Sequence, residues 1–538
     1  MRVIDSQMPC HGPEFEQRCA SMQQALTRVQ TLRQALLDKA ETQRERFQRQ
    51  NKLLPHERIA RLLDPGMPFL ELCPFAGYML HDDKDGSEAG GGIIAGIGWV
   101  RGVRCLVSAN NCAIKGGTIT PAGLQKTLRL QEIARQNKLP MVVLSESGGA
   151  NLNYAAEIFV QGARAFANQA RLSAAGLPQI TVVHGNATAG GAYQPGLSDY
   201  VIVVRRRTAM FLAGPPLLLA ATGEVATEED LGGADMHASV AGTAEYLAEN
   251  DADAIVQARE VVAALGWNDR ITAVERRAYA EPCYPAEELL GVVPIDARTP
   301  YDTRDIVALI ADASEFLDFK TAYDDQTVCG FLRIAGHTCG YIGNNGPITA
   351  QGAAKAAQFI QLCDQSQRPL IFVHNTTGFM VGTESEHQGI IKHGSKMIQA
   401  VANARVAKIS IIVGGSYGAG NYAMCGRGLD PHFIFAWPNS RTAVMGGAQA
   451  GKVLRQVSEA KQRKMGMQPD PNMLDLIEMS AAQQLDAQSD ALFNTARLHD
   501  DGIIDPRDTR EILIQVLDLI ADASRRELHD NSFGIARF

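Results

Sequence analysis

The stretch LPMVVLSESGG, ending at Gly149, has a counterpart in RPLIFVHNTTG, which ends at Gly378, 229 positions further along the chain. The same shift holds without adjustment at Gly117/Gly346, Ile119/Ile348, Thr120/Thr349, Gly123/Gly352, Lys126/Lys355 and Pro140/Pro369. It also sets PQITVV from Pro178 against AKISII from Ala407, and Gly191-Ala192-Tyr193 against Gly420-Asn421-Tyr422. A shift held from residue 117 to residue 193 predicts two homologous domains, and 538 residues exceed what one ordinary core accommodates. Pro282, Pro285, Pro294 and Pro300 interrupt any helix between the halves, which puts the boundary near residue 290 and the domains over 1–290 and 291–538.

Within each half, short apolar runs such as Met141 to Leu144 and Ile180 to Val183 alternate with helix-length segments such as Pro121 to Asn137 and Ala163 to Ala175. This is the pattern of β-α-β units, an α/β class with largely parallel sheets. The charged segment from Phe15 to Arg49 reads as a solvated or packing helix.

Each half carries two glycine-rich turns directly after an apolar strand: SGGAN and ATAGGAY in the first, TTGF and GGSYGAGNY in the second. Where a strand gives way to a helix, glycine lets the backbone approach a ligand closely and leaves the first helical N–H groups pointing outward. Two facing turns of this kind can aim two donors at one developing oxyanion, each worth about 2.7–4 kcal/mol.

Other chemistries find less support. No G-x-x-x-x-G-K-[ST] string occurs, and GGGIIAGIG from Gly90 has no acidic partner at the later position a dinucleotide site needs. One G-x-S-x-G string, Gly414 to Gly418, follows a strand and makes a hydrolase elbow a rival reading, although its repeat partner from His184 has no serine in the matching place. His184 and His374 have no obvious Ser or Cys partner in sequence and read as packing or hydrogen-bonding residues. The ten cysteines, among them Cys10, Cys112, Cys339 and Cys425, form no C-x-x-C pair, so neither a metal site nor a disulfide framework is expected. A net charge of -8 argues against a general nucleic-acid surface. With no apolar run long enough for a bilayer and no signal-peptide pattern, a cytoplasmic, non-membrane protein is expected.

The residues resemble the carboxyltransferase β subunits of biotin-dependent acyl-CoA carboxylases over essentially the whole chain. The resemblance is carried by KLLPHERIARLLDPG from Lys52, AIKGGTITP from Ala113, ESGGANL from Glu146, ATAGGAY from Ala187, FLAGPPLLLAATGE from Phe211, DLGGADMH from Asp230, TTGFMVG from Thr376, GGSYGAGNYAMCGR from Gly414, WPNSRTAVMGG from Trp437 and DDGIIDPRDTR from Asp500. It implies two tandem crotonase-type domains (the ClpP/crotonase superfold), the first holding acyl-CoA and the second biotin. The active site would form between the first domain of one subunit and the second domain of another, within a homo-oligomer expected to be a hexamer. Carried over by position, Gly149, Gly190 and Gly191 would hold the acyl thioester oxygen as it becomes an enolate. Gly378, Gly418, Ala419 and Gly420 would hold the biotin ureido oxygen, with Phe379 beside them. The implied base is biotin itself, which accounts for the lack of a protein base. Tyr193 and Tyr422 close the two turns as wall-lining side chains.

SYGAGNYAMCGR and GGADMH resemble the methylcrotonyl and geranyl branch of the family, which carboxylates the γ carbon of an α,β-unsaturated acyl-CoA. Methylcrotonyl-type subunits carry a segment close to HFGRIFYNQ where this chain has VQGARAFANQ, so Gly162 stands in place of a Phe and Ala167 in place of a Tyr. A missing ring removes a contact of about 150–250 Å² and opens room for a longer tail, with Gly148, Ala189 and Tyr193 also lining the pocket. Geranyl-CoA is therefore the expected substrate, in acyclic terpene degradation, with methylcrotonyl-CoA as the alternative. The chain has no A-M-K-M biotinylation string, so a biotin carboxylase and biotin carrier α subunit is the expected partner. Arg205, Arg206 and Arg207 read as a solvated strand end before a CoA phosphate site. A sodium-pumping decarboxylase subunit, a non-catalytic scaffold and a stand-alone hydratase are the other readings.

Overall fold

The structure, a computed structural model, describes residues 1–6, 8, 10–271, 278–296 and 299–536. The chain divides into two compact units. One comprises Thr31–Val274, Ala496–Leu498 and Leu519–Phe538; the other Met1–Gln30, Glu275–Thr495 and His499–Asp518. Each unit thus takes a terminal segment from beyond the boundary near residue 290.

Each unit is built on one eight-stranded mixed sheet. In the unit of the first repeat, the strands Ile93–Val100 and Val103–Asn110 form a hairpin whose two-residue turn has Arg101 and Gly102 both at positive φ (52° and 75°). That geometry matches the right-handed twist of the flanking strands. Parallel strands follow: Met141–Ser147 (β1), Gln179–Thr188 (β2) and Tyr200–Val204. The unit of the second repeat repeats this order. Its hairpin joins Thr327–Ile334 to His337–Asn344 through Ala335 and Gly336, again both at positive φ. Leu370–Thr376 (β3), Lys408–Tyr417 (β4) and Phe433–Ala436 then add in parallel.

The repeat seen in sequence is a repeat of hydrogen bonds. Thr120 caps the helix Pro121–Gln136 by accepting the Gly123 N–H at 3.1 Å, and Thr349 caps Ala350–Gln365 by accepting the Gly352 N–H at 2.8 Å. Pro140 and Pro369 each lend a carbonyl to the preceding strand, taking the Leu106 and Gly340 N–H groups at 2.9 Å. Lys126 and Lys355 are fully buried, and their ammonium groups donate to backbone carbonyls of Cys73, Gly90 and Ile93 in one unit and of Asp324 in the other. The two α/β units are related by duplication.

Strand cores come from both faces being covered. Val142, Leu144, Ile180, Val182 and Ile202 are fully buried in the first unit, and Ile342, Leu370 and Phe372 in the second, in one core with Phe359 and Ile360 of the helix Ala350–Gln365. The segment from Phe15 to Arg49 is helical over Pro13–Glu41 and Arg44–Arg49 and packs rather than floats, burying Met22, Leu26, Ala40 and Phe47. Two elements run further than expected. The strand starting at Met141 continues through the polar Ser145-Glu146-Ser147, and the helix expected from Ala163 begins at Ala155 and ends at Ala174 (α1).

Candidate active site

The glycine turns lie at the ends of neighbouring parallel strands. Gly149 follows β1 with φ +88°, and Gly378 follows β3 with φ +117°, values glycine adopts at no steric cost. A Cβ at either position would sit 3.5 Å from a carbonyl oxygen of the adjacent strand, that of Thr188 or of Tyr417. The turn after β1 therefore lies against the end of β2, and the turn after β3 against the end of β4. Each turn is also pinned to the loop before the capped helix: the Ile119 N–H donates to the Gly149 carbonyl and the Ile348 N–H to the Gly378 carbonyl, both at 2.9 Å.

The amides of Gly149 and Gly378 donate to side chains of their own strands, Ser147 Oγ and Thr376 Oγ1, both at 3.2 Å. The outward-facing donors are those that open the helices Gly190–Gly196 (α2) and Gly418–Ala423 (α3), whose first N–H groups have no intrahelical acceptor. Gly190 and Ala419 are exposed, while Gly191 and Gly420 lie buried beneath them. Ala189 precedes α2 at φ 51°, ψ −123°, a conformation L residues rarely adopt; its repeat partner is Gly418, at φ 53°. Gly148 and Ala189 are exposed beside Gly149.

Beside α2 lies α1, joined to it by the contact of Phe166 with Tyr193. Its buried residues Ile158, Ala165, Gln169 and Leu172 form one stripe at helical spacing, and Gly162 falls on the same stripe. A Cβ at Gly162 would meet nothing within 4 Å. The half-buried Gly162 therefore opens onto free space, one turn from the exposed Phe159 and from Phe166, whose ring meets Tyr193 edge-on with centroids 5.9 Å apart. Ala167, five residues after Gly162, falls on another face of the helix. On the other unit, Phe379 packs its ring against Gly394, and Tyr422, like Tyr193, is about half exposed.

Behind the first pair of turns lies a cluster of charged side chains that the sequence did not single out. Glu146 of β1 pairs with Lys52 at 2.6 Å and Arg58 at 2.7 Å. Arg58, fully buried, also binds Asp251 at 3.1 Å, and Asp251 meets His184 Nδ1 of β2 at 3.0 Å. Burial alone would raise the Glu146 pKa, but Arg58 and Lys52 outweigh it and hold the carboxyl below its ordinary range. Burial, reinforced by Arg58, lowers the His184 pKa and keeps the ring neutral.

In the second unit His374 is a buried hydrogen-bonding residue, as expected, and its partner is a serine that sequence adjacency did not mark: His374 Nδ1 and Ser416 Oγ are hydrogen-bonded at 2.9 Å, and Asn421 Nδ2 donates to the same oxygen at 2.8 Å. This pair is no hydrolase elbow, because Ser416 sits inside β4 with its side chain fully buried, whereas a nucleophile elbow exposes its serine on a sharp turn. Arg205 is held by Asp235 at 3.2 Å and by Glu249. Among the described residues there is no cluster of His, Cys, Asp or Glu spaced for a metal, and no helix long and apolar enough to cross a membrane.

Residues 46–534 match the carboxyl transferase domain family. The chain is similar to the crystal structure of the Pseudomonas aeruginosa geranyl-CoA carboxylase β subunit, with 66% identity over 100% of both chains and a TM-score of 0.94. It is 43% identical to a probable biotin-dependent acyl-coenzyme A carboxylase β2 subunit of Mycobacterium tuberculosis, covering 99% of this chain and 100% of that one. It is also 46% identical to the biotin-dependent 3-methylcrotonyl-coenzyme A carboxylase β1 subunit of the same organism, over 91% and 92% of the two chains.

Proposed function

The chain belongs to the carboxyl transferase family of biotin-dependent acyl-CoA carboxylase β subunits, and on that footing we propose that it carboxylates the γ carbon of an α,β-unsaturated branched acyl-CoA, with geranyl-CoA preferred. Bound carboxybiotin, delivered by a biotin-carrying α subunit, supplies the carboxyl group and the base that takes the substrate proton. The residues of this chain bind and orient. The N–H groups that open α2 at Gly190 and Gly191 face the thioester oxygen and favour the enolate over the neutral acyl group, while the glycine at 149 leaves room for that oxygen between the turns. The N–H groups of Gly418, Ala419 and Gly420 hold the ureido oxygen, for which the close-packed, side-chain-free turn at Gly378 leaves a cradle. Because a γ carbanion delocalises onto the same thioester oxygen, one hole serves the vinylogous position.

The open space at Gly162 carries the choice of substrate. Methylcrotonyl-CoA is the second reading, favoured by the 46% identity to a methylcrotonyl-type subunit, but its short acyl group would leave the space beside Phe159 and Phe166 empty. The exposed apolar Leu152, Phe159 and Val160 on one unit and Val381, Ile391 and Val444 on the other favour a homo-oligomer in which a second copy covers these faces. The hexamer, the contact with the α subunit and a cytoplasmic location belong to the same proposal.

The test is ATP- and bicarbonate-dependent carboxylation of geranyl-CoA and methylcrotonyl-CoA, side by side, by the complex with the biotinylated partner. Preference for geranyl-CoA that Gly162→Phe reverses is the expected result. Preference for methylcrotonyl-CoA in the unsubstituted protein overturns the substrate assignment, and inactivity on every acyl-CoA overturns the carboxyl-transfer reading.

A further inference from the structure

β1 and β2 pair in step from Met141/Gln179 to Ser145/Val183, then resume at Ser147/Ala187, so His184, Gly185 and Asn186 bulge opposite Glu146. The second unit breaks register at the matching place, between His374/Ile412 and Thr376/Ser416. A bulge here re-aims the chain just before it enters the glycine turn. In both units the bulge is filled by the side chain of the penultimate residue of the preceding strand. Asn375 does so in the second, with its Oδ1 accepting the Gly415 N–H at 2.9 Å. In the first it is Glu146, against which Gly185 packs so closely that a Cβ there would lie 2.7 Å from the carboxylate.

The two solutions differ in kind. Asn375 is neutral and bonds the bulge directly. Glu146 is charged, is clamped by Lys52 and Arg58, and reaches the bulge a second time through Arg58, Asp251 and His184, the last of these a bulge residue itself. The result is a chain of side chains tying the end of β1 to the end of β2. Two cations face two carboxylates, so the cluster is balanced, yet taking four charges out of water is costly, and the duplicate unit forms the same bulge without them. The arrangement is therefore poorly explained by stability alone. It sits three residues before Gly149 and directly upstream of the Ala189–Gly191 turn.

We propose that Glu146, clamped by Arg58 and Lys52, is a positioning residue that fixes the spacing between the Gly149 turn and the Ala189–Gly191 turn, and so the fit of the acyl-side hole to the enolate oxygen. The proposal rests on the carboxyl-transfer reading above. On that reading the acyl oxygen gains a full charge during turnover, and donors displaced by a fraction of an ångström lose most of their effect on the transition state while still admitting the ground-state thioester.

The experiment uses the complete carboxylase with its biotinylated partner, ATP and bicarbonate, and an acyl-CoA carrying hydrogen or deuterium at the carbon to be carboxylated. Glu146→Gln is expected to lower kcat about tenfold to a hundredfold, to leave KM for acyl-CoA within about threefold, and to raise the deuterium isotope effect on kcat as proton removal becomes limiting. Glu146→Gln leaves one cation unmatched, so Glu146→Gln/Lys52→Gln, in which charge is again balanced, is run beside it with Tm measured on both. The double variant is expected to regain Tm but not kcat. Recovery of kcat together with Tm, or an unchanged kcat and isotope effect in either folded variant, overturns the positioning role. An unsubstituted complex that carboxylates no acyl-CoA overturns the parent reading and this one with it.

Discussion

Gly420 stands so close to Gly378 that a Cβ built on it would lie 2.8 Å from the Gly378 Cα, whereas the same addition at the repeat partner, Gly191, would meet only the Ser147 carbonyl and hydroxyl, at 4.0 Å. One duplicated position is thus a close backbone contact in one unit and leaves room for a methyl group at van der Waals distance in the other. Gly420→Ala is expected to lower stability by about 1–3 kcal/mol through overpacking, with loss of turnover. Gly191→Ala is expected to fold with an unchanged Tm and lose turnover all the same, because its methyl group points into the acyl-side turn. Thermal unfolding and carboxylation assays of the two variants check both halves of this contrast.

Ala189 holds φ 51° without the freedom its partner Gly418 enjoys. Relieving a strained backbone of this kind is worth about 1–3 kcal/mol, less the extra chain entropy glycine brings. Ala189→Gly is expected to raise Tm by a few degrees while carboxylation persists. Gly418→Ala is expected to do the reverse, since its Cβ would also press on the Val444 carbonyl oxygen at 3.0 Å. A drop in Tm for Ala189→Gly would remove the claim of strain.

Ser416 supplies a direct check against hydrolase chemistry. With its hydroxyl bonded to His374 and Asn421 inside the unit, Ser416→Ala is expected to cost about 1 kcal/mol of stability and to leave carboxylation within a few-fold. Loss of activity by several orders of magnitude in a folded variant would make Ser416 a reacting group.

Burial pushes the His374 pKa down to about 3 from 6.5. A folded-state value below the unfolded one means that the unfolded chain binds the extra proton, so the stability His374 confers is full above pH 6.5 and drains away as the pH falls toward 3. His184 is lowered in the same direction, burial again leading. Asp500, its pKa raised to about 7 by burial, works the opposite way, gaining stability as the pH falls, so the histidine contribution is read by difference: His374→Asn is expected to lose less Tm, or gain more, than the unsubstituted protein as the pH drops from about 6.5 towards about 4. Differential scanning fluorimetry across this range reads both slopes.

The duplication was legible because its markers are local: Thr120 and Thr349 cap helices, Pro140 and Pro369 precede strands, and Gly149 and Gly378 take positive φ, each dictated by a neighbour in sequence. The polar tail of β1 was not legible. Ser145-Glu146-Ser147 has the composition of a loop, and only cations that arrive from Lys52 and Arg58 make its burial tolerable. The start of α1 was missed for a related reason, since Leu152, Phe159 and Val160 around its first turns are apolar yet exposed and give no one-sided pattern. The glycine string around Ser416 names an elbow, which made a hydrolase a rival reading, but the backbone stays extended through the serine.

The unit of the first repeat includes Leu519–Phe538, and that of the second includes Met1–Gln30. During synthesis Met1–Gln30 must wait for a half that does not yet exist, and the half made earlier stays unfinished until Leu519–Phe538 follow. A nascent chain halted at residue 518 carries every segment of the second unit while the first still lacks Leu519–Phe538. Truncation at the carboxyl end, where a linear map shows the second repeat, would injure the first.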